Sequence, residues 1–356
     1  MVDNDERWIE FVSANELRAL GAELSVGEVH AAVEQAWEGL RSGAATGGKA
    51  VLSLPEDEFW RQPDFAPFRD GFADQRLGWK LSALYSVNAR YGAVKIIGAN
   101  AFNRRLGYPR STSTIVLMDK YTLRPLSVLD GTNLSAMRTG TYASRFVDGF
   151  RARYSRVALF LFGTGPVARS VIECLSYSSA DLVADIFVRS RTLDGAQRFV
   201  SEMAGRSAIP LQAVADNRRL AECSIVVTAS NARQPVFEDA EVAPDAAGLH
   251  LGGDEVPEAY LRRVLRTGVV GCDDIGTVSR RNSQSLALYF SRSGLSLETV
   301  GPLLGIRELS SSHEWEAAEQ GPVSLTCVGL PALDLYVAAA CYEKFCAARR
   351  ERVELR

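Results

Sequence analysis

The chain of 356 residues has only three histidines, His30, His250 and His313, too few for a multi-histidine metal site or for chemistry that needs a histidine pair. Its six cysteines, Cys174, Cys223, Cys272, Cys327, Cys341 and Cys346, contain no C-x-x-C pair. Neither a zinc site nor a disulfide framework is expected from them; they read as small buried hydrophobes. No apolar run approaches the length that crosses a membrane, and with a net charge of −3 no basic excess points to nucleic acid. The opening Met1-Val2-Asp3-Asn4-Asp5-Glu6-Arg7 is acidic, unlike a signal or transit peptide, so the cytoplasm is the expected location. Hydrophobic residues at 47% and charged residues at 23% fit an ordinary soluble globular protein, and the length predicts two domains.

What is present centres on one stretch. Val157-Ala158-Leu159-Phe160-Leu161-Phe162 is a continuous apolar run followed directly by Gly163-Thr164-Gly165-Pro166-Val167-Ala168. A periodic segment through Val171, Cys174 and Leu175 then leads to Ile186-Phe187-Val188, so the order is strand, glycine turn, helix, strand. Gly163 permits a tight turn, Gly165 admits a pyrophosphate against the backbone, and Ala168 lets helix and strand pack closely. Pro166 suits a first helical position, whose N–H groups and dipole favour a phosphate. A dinucleotide site is the expectation.

At the end of the second strand, about twenty residues past the glycines, NAD enzymes usually carry an Asp or Glu for the ribose 2′-hydroxyl. Here the residues are Arg189-Ser190-Arg191-Thr192. A guanidinium and hydroxyls suit a 2′-phosphate that a carboxylate would repel, which predicts NADP(H) over NAD(H). The competing reading is that these arginines are solvated loop charges.

Along the chain, Trp8 to Val12 alternates like a strand, and Ser25 and Glu28 have capping-box spacing ahead of a helix over about 25–41. Gly43–Gly48 reads as a loop and Lys49–Leu54 as a strand; 56–78 has prolines and aromatics without a period. Strands are expected at 81–85, 93–98, 114–119 and 126–130, and a helix from about Leu134 to Val147. Lys95 sits among apolar neighbours, where a lysine is costly unless paired or facing an anionic ligand, the alternative being a strand-edge lysine that faces water. Arg138 near a helix start favours a carboxylate partner, the alternative being an ordinary intrachain ion pair. Thr228, Ala229 and Ser230 end a buried strand, where the second half of a cofactor would pass. Gly252-Gly253-Asp254 ends another, which makes Asp254 a candidate acid–base group or, alternatively, a helix cap. Val269–Asp274 reads as the last strand of that sheet, Asn282–Ser291 as a helix, Ser310–Gly321 as a polar linker, and Leu333–Arg350 as a long helix.

The chain resembles the ornithine cyclodeaminase and mu-crystallin family. The resemblance is carried by Val94-Lys95, Asn103 to Pro109, Leu117-Met118-Asp119, Asp130-Gly131, Ala136-Met137-Arg138-Thr139, the Gly163 loop, Gly252-Gly253-Asp254, and Val328-Gly329 with Asp334. It implies an α/β fold in which a Rossmann doubly wound parallel sheet (149–321) is inserted into a second, α+β substrate and dimerisation domain (1–148 plus 322–356), and a homodimer. By resemblance, Lys95 lies beside the reacting amine or imine, Arg138 grips the substrate carboxylate, and Asp254 does acid–base work. Thr139, Gly163, Thr164, Gly165, Pro166, Val167, Ser190, Arg191, Thr192, Thr228, Ala229, Ser230, Val328 and Gly329 would hold the cofactor. Lys49 stands where the family has a second carboxylate-binding arginine, and Arg110 where cyclodeaminases have threonine. That arginine, and the stretch Cys272 to Arg281 with Ser285-Leu286-Ala287, is similar to the branch that makes 2,3-diaminopropionate for siderophores and antibiotics by oxidising N-(2-amino-2-carboxyethyl)-glutamate.

The function expected is therefore a nicotinamide-dependent oxidoreductase of the C–N bond of an N-substituted amino acid or imine. The alternatives are a cyclodeaminase releasing ammonia from ornithine or lysine, and a non-catalytic NADPH-dependent binding protein like the crystallins. No metal, membrane or nucleic acid is expected.

Overall fold

The computed structural model describes residues 9–310 and 321–354. It divides into two compact units. The first holds the residues up to Pro67, Leu77–Arg138, and those from Leu330 onward; the second holds Phe68–Arg76 and Thr139–Gly329.

The first unit is built on a six-stranded sheet of β1 (Glu10–Val12), β2 (Thr46–Ser53), β3 (Lys80–Val87), β4 (Tyr91–Ala99), β5 (Ser111–Asp119) and β6 (Pro125–Asp130), in the order β1-β6-β5-β4-β3-β2. Strands β2 to β6 form an antiparallel meander, and β1 joins β6 in parallel. Because side chains alternate between faces, register decides what shares a face. Lys49 pairs with Leu84, Leu84 with Lys95, Lys95 with Ile115, and Ile115 with Leu129, so one row across one face carries both lysines. The C-terminal helix Pro331–Glu354 packs on β2 to β6 and on the helix Val26–Arg41. The two helices approach closely at Gly39, where a Cβ would lie 2.4 Å from the Tyr336 hydroxyl. Ser25 and Glu28 form the capping box that their spacing predicts. The other sheet face is apolar and exposed, with Phe11 71%, Leu52 59%, Tyr85 58% and Ile96 47% accessible.

Two expectations for this unit shift. Strand β2 starts at Thr46, inside the loop expected over Gly43–Gly48, because Gly47 and Gly48 serve close approach and not a turn: a Cβ on Gly47 would meet the Tyr85 carbonyl at 2.3 Å. The aperiodic stretch after Pro55 holds a short helix, Glu56–Trp60, with Phe59 stacked on Phe65 at 4.3 Å and tilted against Phe102 at 5.5 Å. Its aromatics are a satellite core.

The second unit carries eight parallel strands, β7 (Val157–Phe162), β8 (Val183–Arg189), β9 (Leu211–Val214), β10 (Ile225–Thr228), β11 (Ala247–His250), β12 (Val269–Cys272), β13 (Arg307–Glu308) and β14 (Val323–Thr326). The order is β13-β12-β14-β11-β10-β7-β8-β9. β10, β11 and β14 are buried at every residue, as strands covered on both faces must be. The sheet does not end at β12: β14 lies between β11 and β12, so residues 323–326, expected with the substrate domain, belong to this sheet. Four residues of ordinary composition carry no mark of which strand they will join. The helix expected over Asn282–Ser291 begins at Ser285 and runs to Ser291, and a further helix, Ile275–Arg281, precedes it and is closed by Asn282 with a left-handed φ of 41°. Most of the expected linker, 311–320, lies outside the described residues. None of the six cysteines forms a disulfide among the described residues.

Candidate active site

Strand order creates the first part of the site. β8 and β9 lie on one side of β7, and β10 and β11 on the other, so the chain reverses direction between β7 and β10 and leaves a crevice outside their carboxyl ends. The glycine turn sits at that crevice. Gly163 has φ 118°, a conformation that side chains resist, and a Cβ there would stand 2.4 Å from the Ala229 carbonyl at the exit of β10. Gly165 caps the helix Pro166–Ser178 with no side-chain hydrogen bond, and a Cβ on it meets nothing within 4 Å. Pro166 takes the first turn, and Ala168 is fully buried against the sheet. Thr139 precedes Gly140, whose absent side chain lets the helix Thr132–Asp148 touch Ser170, 2.4 Å from where a Cβ would be. The residues present thus fit a diphosphate: room at Gly165, and a helix start whose first N–H groups have no helical partner.

At the end of β8 the structure separates the basic residues. Arg189 is used internally: its Nη1 donates to the Asn217 side chain and to the Val236 carbonyl at 3.3 Å, and its guanidinium lies over the Phe162 ring. Ser190 Oγ lies 3.4 Å from Thr164 Oγ in the glycine turn. Thr192 caps the helix Leu193–Met203 by accepting from the Gly195 N–H at 3.2 Å. Arg191 is exposed.

In the first unit, Lys95 on β4, Arg138 and Asp334 form a buried cluster, with accessibilities of 1%, 5% and 4%. Lys95 Nζ donates to Asp334 Oδ1 at 2.7 Å and to Ser135 Oγ at 2.6 Å. Arg138 Nε donates to the same Oδ1 at 2.9 Å, and its Nη2 reaches Oδ2 at 3.4 Å. Burial pulls the Lys95 ammonium down to about 8; Asp334 opposes this and Arg138 adds to it. Burial pushes the Asp334 carboxyl up, but the two cations outweigh it and the net shift is downward. Lys49 is half-buried in the row that contains Lys95, two strand spacings or about 10 Å away. Arg110 is half-buried just before β5 and fills the space that Gly78 leaves, where a Cβ would be 2.5 Å from Nη2.

Asp254, 8% exposed, belongs to the second unit, at the exit of β11. Its Oδ2 contacts the Arg292 guanidinium and lies 3.6 Å from Arg76 Nη2, while its buried Oδ1 has no hydrogen-bond partner among the described residues. Arg76 also donates to the Asp254 carbonyl at 3.2 Å. It ends the Phe68–Arg76 strap, which is held to the β10 exit by Arg76 N–H to Asn231 carbonyl and Asn231 Nδ2 to Arg76 carbonyl bonds of 3.1 and 2.6 Å. The N–H groups of Val328 and Gly329 donate to buried Asp273 at 2.9 and 2.8 Å, and Tyr142 donates to the same oxygen at 3.0 Å. Those two amides therefore serve the fold, and a cofactor contact there would use other atoms.

Arg76, Arg292, Asp273 and Glu255 carry no sign of a site role in the sequence, and Asp334 is marked there only by the family resemblance. The local signal that could have found Asp334 is an acidic residue at the start of an otherwise apolar helix segment.

A doubly wound parallel sheet with a glycine turn at its switch point, in a chain whose other unit buries a lysine–carboxylate–arginine cluster, defines a dinucleotide-binding α/β protein with a separate polar site. The family model of the ornithine cyclodeaminase/mu-crystallin family matches residues 67–274, more than half of the chain. The chain belongs to that family. It is 22% identical over 306 residues to a Δ1-pyrroline-2-carboxylate reductase of Bacillus thuringiensis, covering 83% of this chain and 90% of the relative. A reductase of the same name from Bacillus cereus is 27% identical over 193 residues, and that match spans 53% of this chain and 58% of the relative, less than two thirds of its length. Among solved structures, the Δ1-pyrroline-2-carboxylate reductase of Thermococcus litoralis in complex with NADH and L-proline superposes with a TM-score of 0.76 at 20% identity, covering 94% of this chain and 97% of that one. The likeness in structure shows a shared fold.

Proposed function

We propose that the protein is a nicotinamide-dependent oxidoreductase that interconverts the C–N single bond of an N-substituted amino acid and the corresponding imine. The observation that carries this reading is the buried Lys95–Asp334–Arg138 cluster, in which an amine titrating near 8 stands beside a guanidinium. An amine of that kind exchanges a proton with a substrate nitrogen near neutral pH, and the guanidinium pairs with an α-carboxylate. Membership of the family, and relatives named as reductases of a cyclic imino acid, support the same chemistry.

When bound, with its diphosphate held at the glycine turn Gly163 to Pro166, a nicotinamide coenzyme would supply the hydride chemistry. Lys95 gives or takes the proton on nitrogen. Arg138, with Lys49 on the same sheet face and Arg110, fixes substrate carboxylates. Asp254, held through one oxygen by Arg76 and Arg292, keeps Oδ1 for proton transfer. Arg110 supports the finer reading of a substrate with more than one carboxylate, as in the diaminopropionate-forming branch, where water adds to the imine and releases an amine and a 2-oxo acid.

For the cofactor we favour NADP(H). Support comes from the missing carboxylate at the end of β8, exposed Arg191, and a Ser190 hydroxyl beside the glycine turn. The exposed apolar face through Phe11, Leu52, Tyr85 and Ile96 supports a homodimer joined through the six-stranded sheets. The test of the activity is Asp254→Asn assayed with imine and amine substrates by nicotinamide absorbance. Turnover is expected to fall at least 100-fold with coenzyme binding retained; unchanged turnover removes Asp254 from the chemistry.

A further inference from the structure

The exits of β10 and β11 hold a second acidic side chain that the reaction above does not use. Glu255 is 1% exposed. Its Oε1 accepts from the Ser230 backbone N–H at 2.8 Å and from the Ser230 hydroxyl, and Ser230 Oγ in turn accepts from the Ala232 N–H at 3.1 Å. Its Oε2 is buried with no hydrogen-bond partner among the described residues. That oxygen lies where Gly252 has no side chain: a Cβ there would be 1.6 Å away, so any larger residue would evict the carboxyl. Two residues before Ser230, Thr228 Oγ1 lies 3.2 Å from His250 Nδ1, and its hydroxyl helps to hold the Glu255 carboxyl down. One residue before Ser230, the Ala229 carbonyl is the atom against which Gly163 closes. Glu255 therefore ties down the segment that forms one wall of the dinucleotide crevice.

We propose that Glu255 is a positioning residue: in its ionised form it fastens the β10 exit against the glycine turn, and on taking up a proton it loosens that wall and weakens dinucleotide binding. The inference rests on the dinucleotide reading given above.

Ionisation is finely balanced at this carboxyl. Burial pushes it up to about 7, against the pull of the Ser230 hydroxyl and amide, the Thr228 hydroxyl and the Arg76 guanidinium. The other titratable groups nearby are His250, which burial pushes down to about 3 and keeps neutral across this range, and Asp254, which is paired with Arg76 and Arg292. A hydrogen bond to an ionised acceptor is roughly twice as strong as one to a neutral acceptor, so proton uptake weakens both Ser230 bonds.

The test is equilibrium titration of the full chain with NADPH and with NADH by coenzyme fluorescence, at intervals from pH 6 to pH 8, for the wild type, Glu255→Gln and Ser230→Ala. If only the ionised form holds the wall, the Kd of the wild type is about tenfold weaker at pH 6 than at pH 8, the ratio of ionised fractions for a group titrating near 7. Glu255→Gln keeps an acceptor for Ser230 and loses this slope. The titration of a 2′-phosphate is common to both proteins and cancels in their comparison. Ser230→Ala removes one donor to the charged form and moves the midpoint to higher pH, a shift that a merely structural role does not produce. A Glu255→Gln slope equal to that of the wild type, or a flat wild-type profile with binding intact, overturns the proposal and leaves the dinucleotide reading standing. Folded protein that binds neither coenzyme at any pH overturns both.

Discussion

Asp334→Asn is the most informative single change in the first unit. It keeps the volume and removes one negative charge from a place where Lys95 Nζ and Arg138 Nε converge on one oxygen at 2.7 and 2.9 Å, all three side chains being nearly inaccessible. Breaking a buried ion pair by neutralising one partner costs about 3–5 kcal/mol, because the remaining charges stay desolvated. At roughly 2–4 °C per kcal/mol for a unit of this size, the melting transition falls by about 10 °C. The lysine responds as well. Asp334 holds the Lys95 ammonium up against burial, so its loss moves that group below about 8 and leaves a larger neutral fraction at pH 7.

The sign with pH follows from linkage. Lys95 has a folded pKa below its unfolded value, so the unfolded chain keeps the proton to higher pH, and this group makes stability rise as pH rises from about 8 towards the unfolded value of 10.5. Thermal unfolding of wild type, Asp334→Asn and Lys95→Met from pH 7 to pH 10 reads both effects. The expected outcome is a lower transition for Asp334→Asn at pH 7, and loss in Lys95→Met of the stability gained above pH 8. An Asp334→Asn transition within about 2 °C of the wild type refutes the buried-pair reasoning, since that difference corresponds to no more than about 1 kcal/mol.

Gly163→Ala puts a methyl group 2.4 Å from the Ala229 carbonyl at a φ of 118°, and dinucleotide affinity is expected to fall about 100-fold by coenzyme fluorescence titration while the chain stays folded. Arg191→Ala is expected to weaken NADPH about tenfold or more and leave NADH unchanged, the loss of one charge-assisted phosphate contact; equal losses for both coenzymes would remove Arg191 from the 2′ site. Ile96→Lys places a charge on the exposed apolar face of the six-stranded sheet and is expected to shift the chain to a monomer by sedimentation velocity, whereas an unchanged sedimentation coefficient would place any dimer contact elsewhere.

The βαβ unit around Gly163 was legible in the sequence because its determinants are local. An apolar strand, two glycines, a proline at the helix start and a small residue two positions later all act within twelve residues of chain, Val157 to Ala168. The capping box at Ser25 and the strands of the antiparallel sheet were readable for the same reason: period and propensity are properties of neighbours. Lys95 could be marked as anomalous, since a lysine in an apolar strand demands a partner wherever that partner comes from.

Which partner it found was decided only by tertiary structure. Asp334 is 239 residues away in the chain, and Arg76 is 178 residues from Asp254, separations at which no periodicity carries information. The insertion of β14 between β11 and β12, the use of Arg189 inside the fold while Arg191 stays exposed, and the spending of the Val328 and Gly329 amides on Asp273 belong to the same class. Short-range sterics and hydrogen bonding write the elements into the sequence. The pairing of buried charges depends on which surfaces those elements bring together, and that is fixed only when the chain closes on itself.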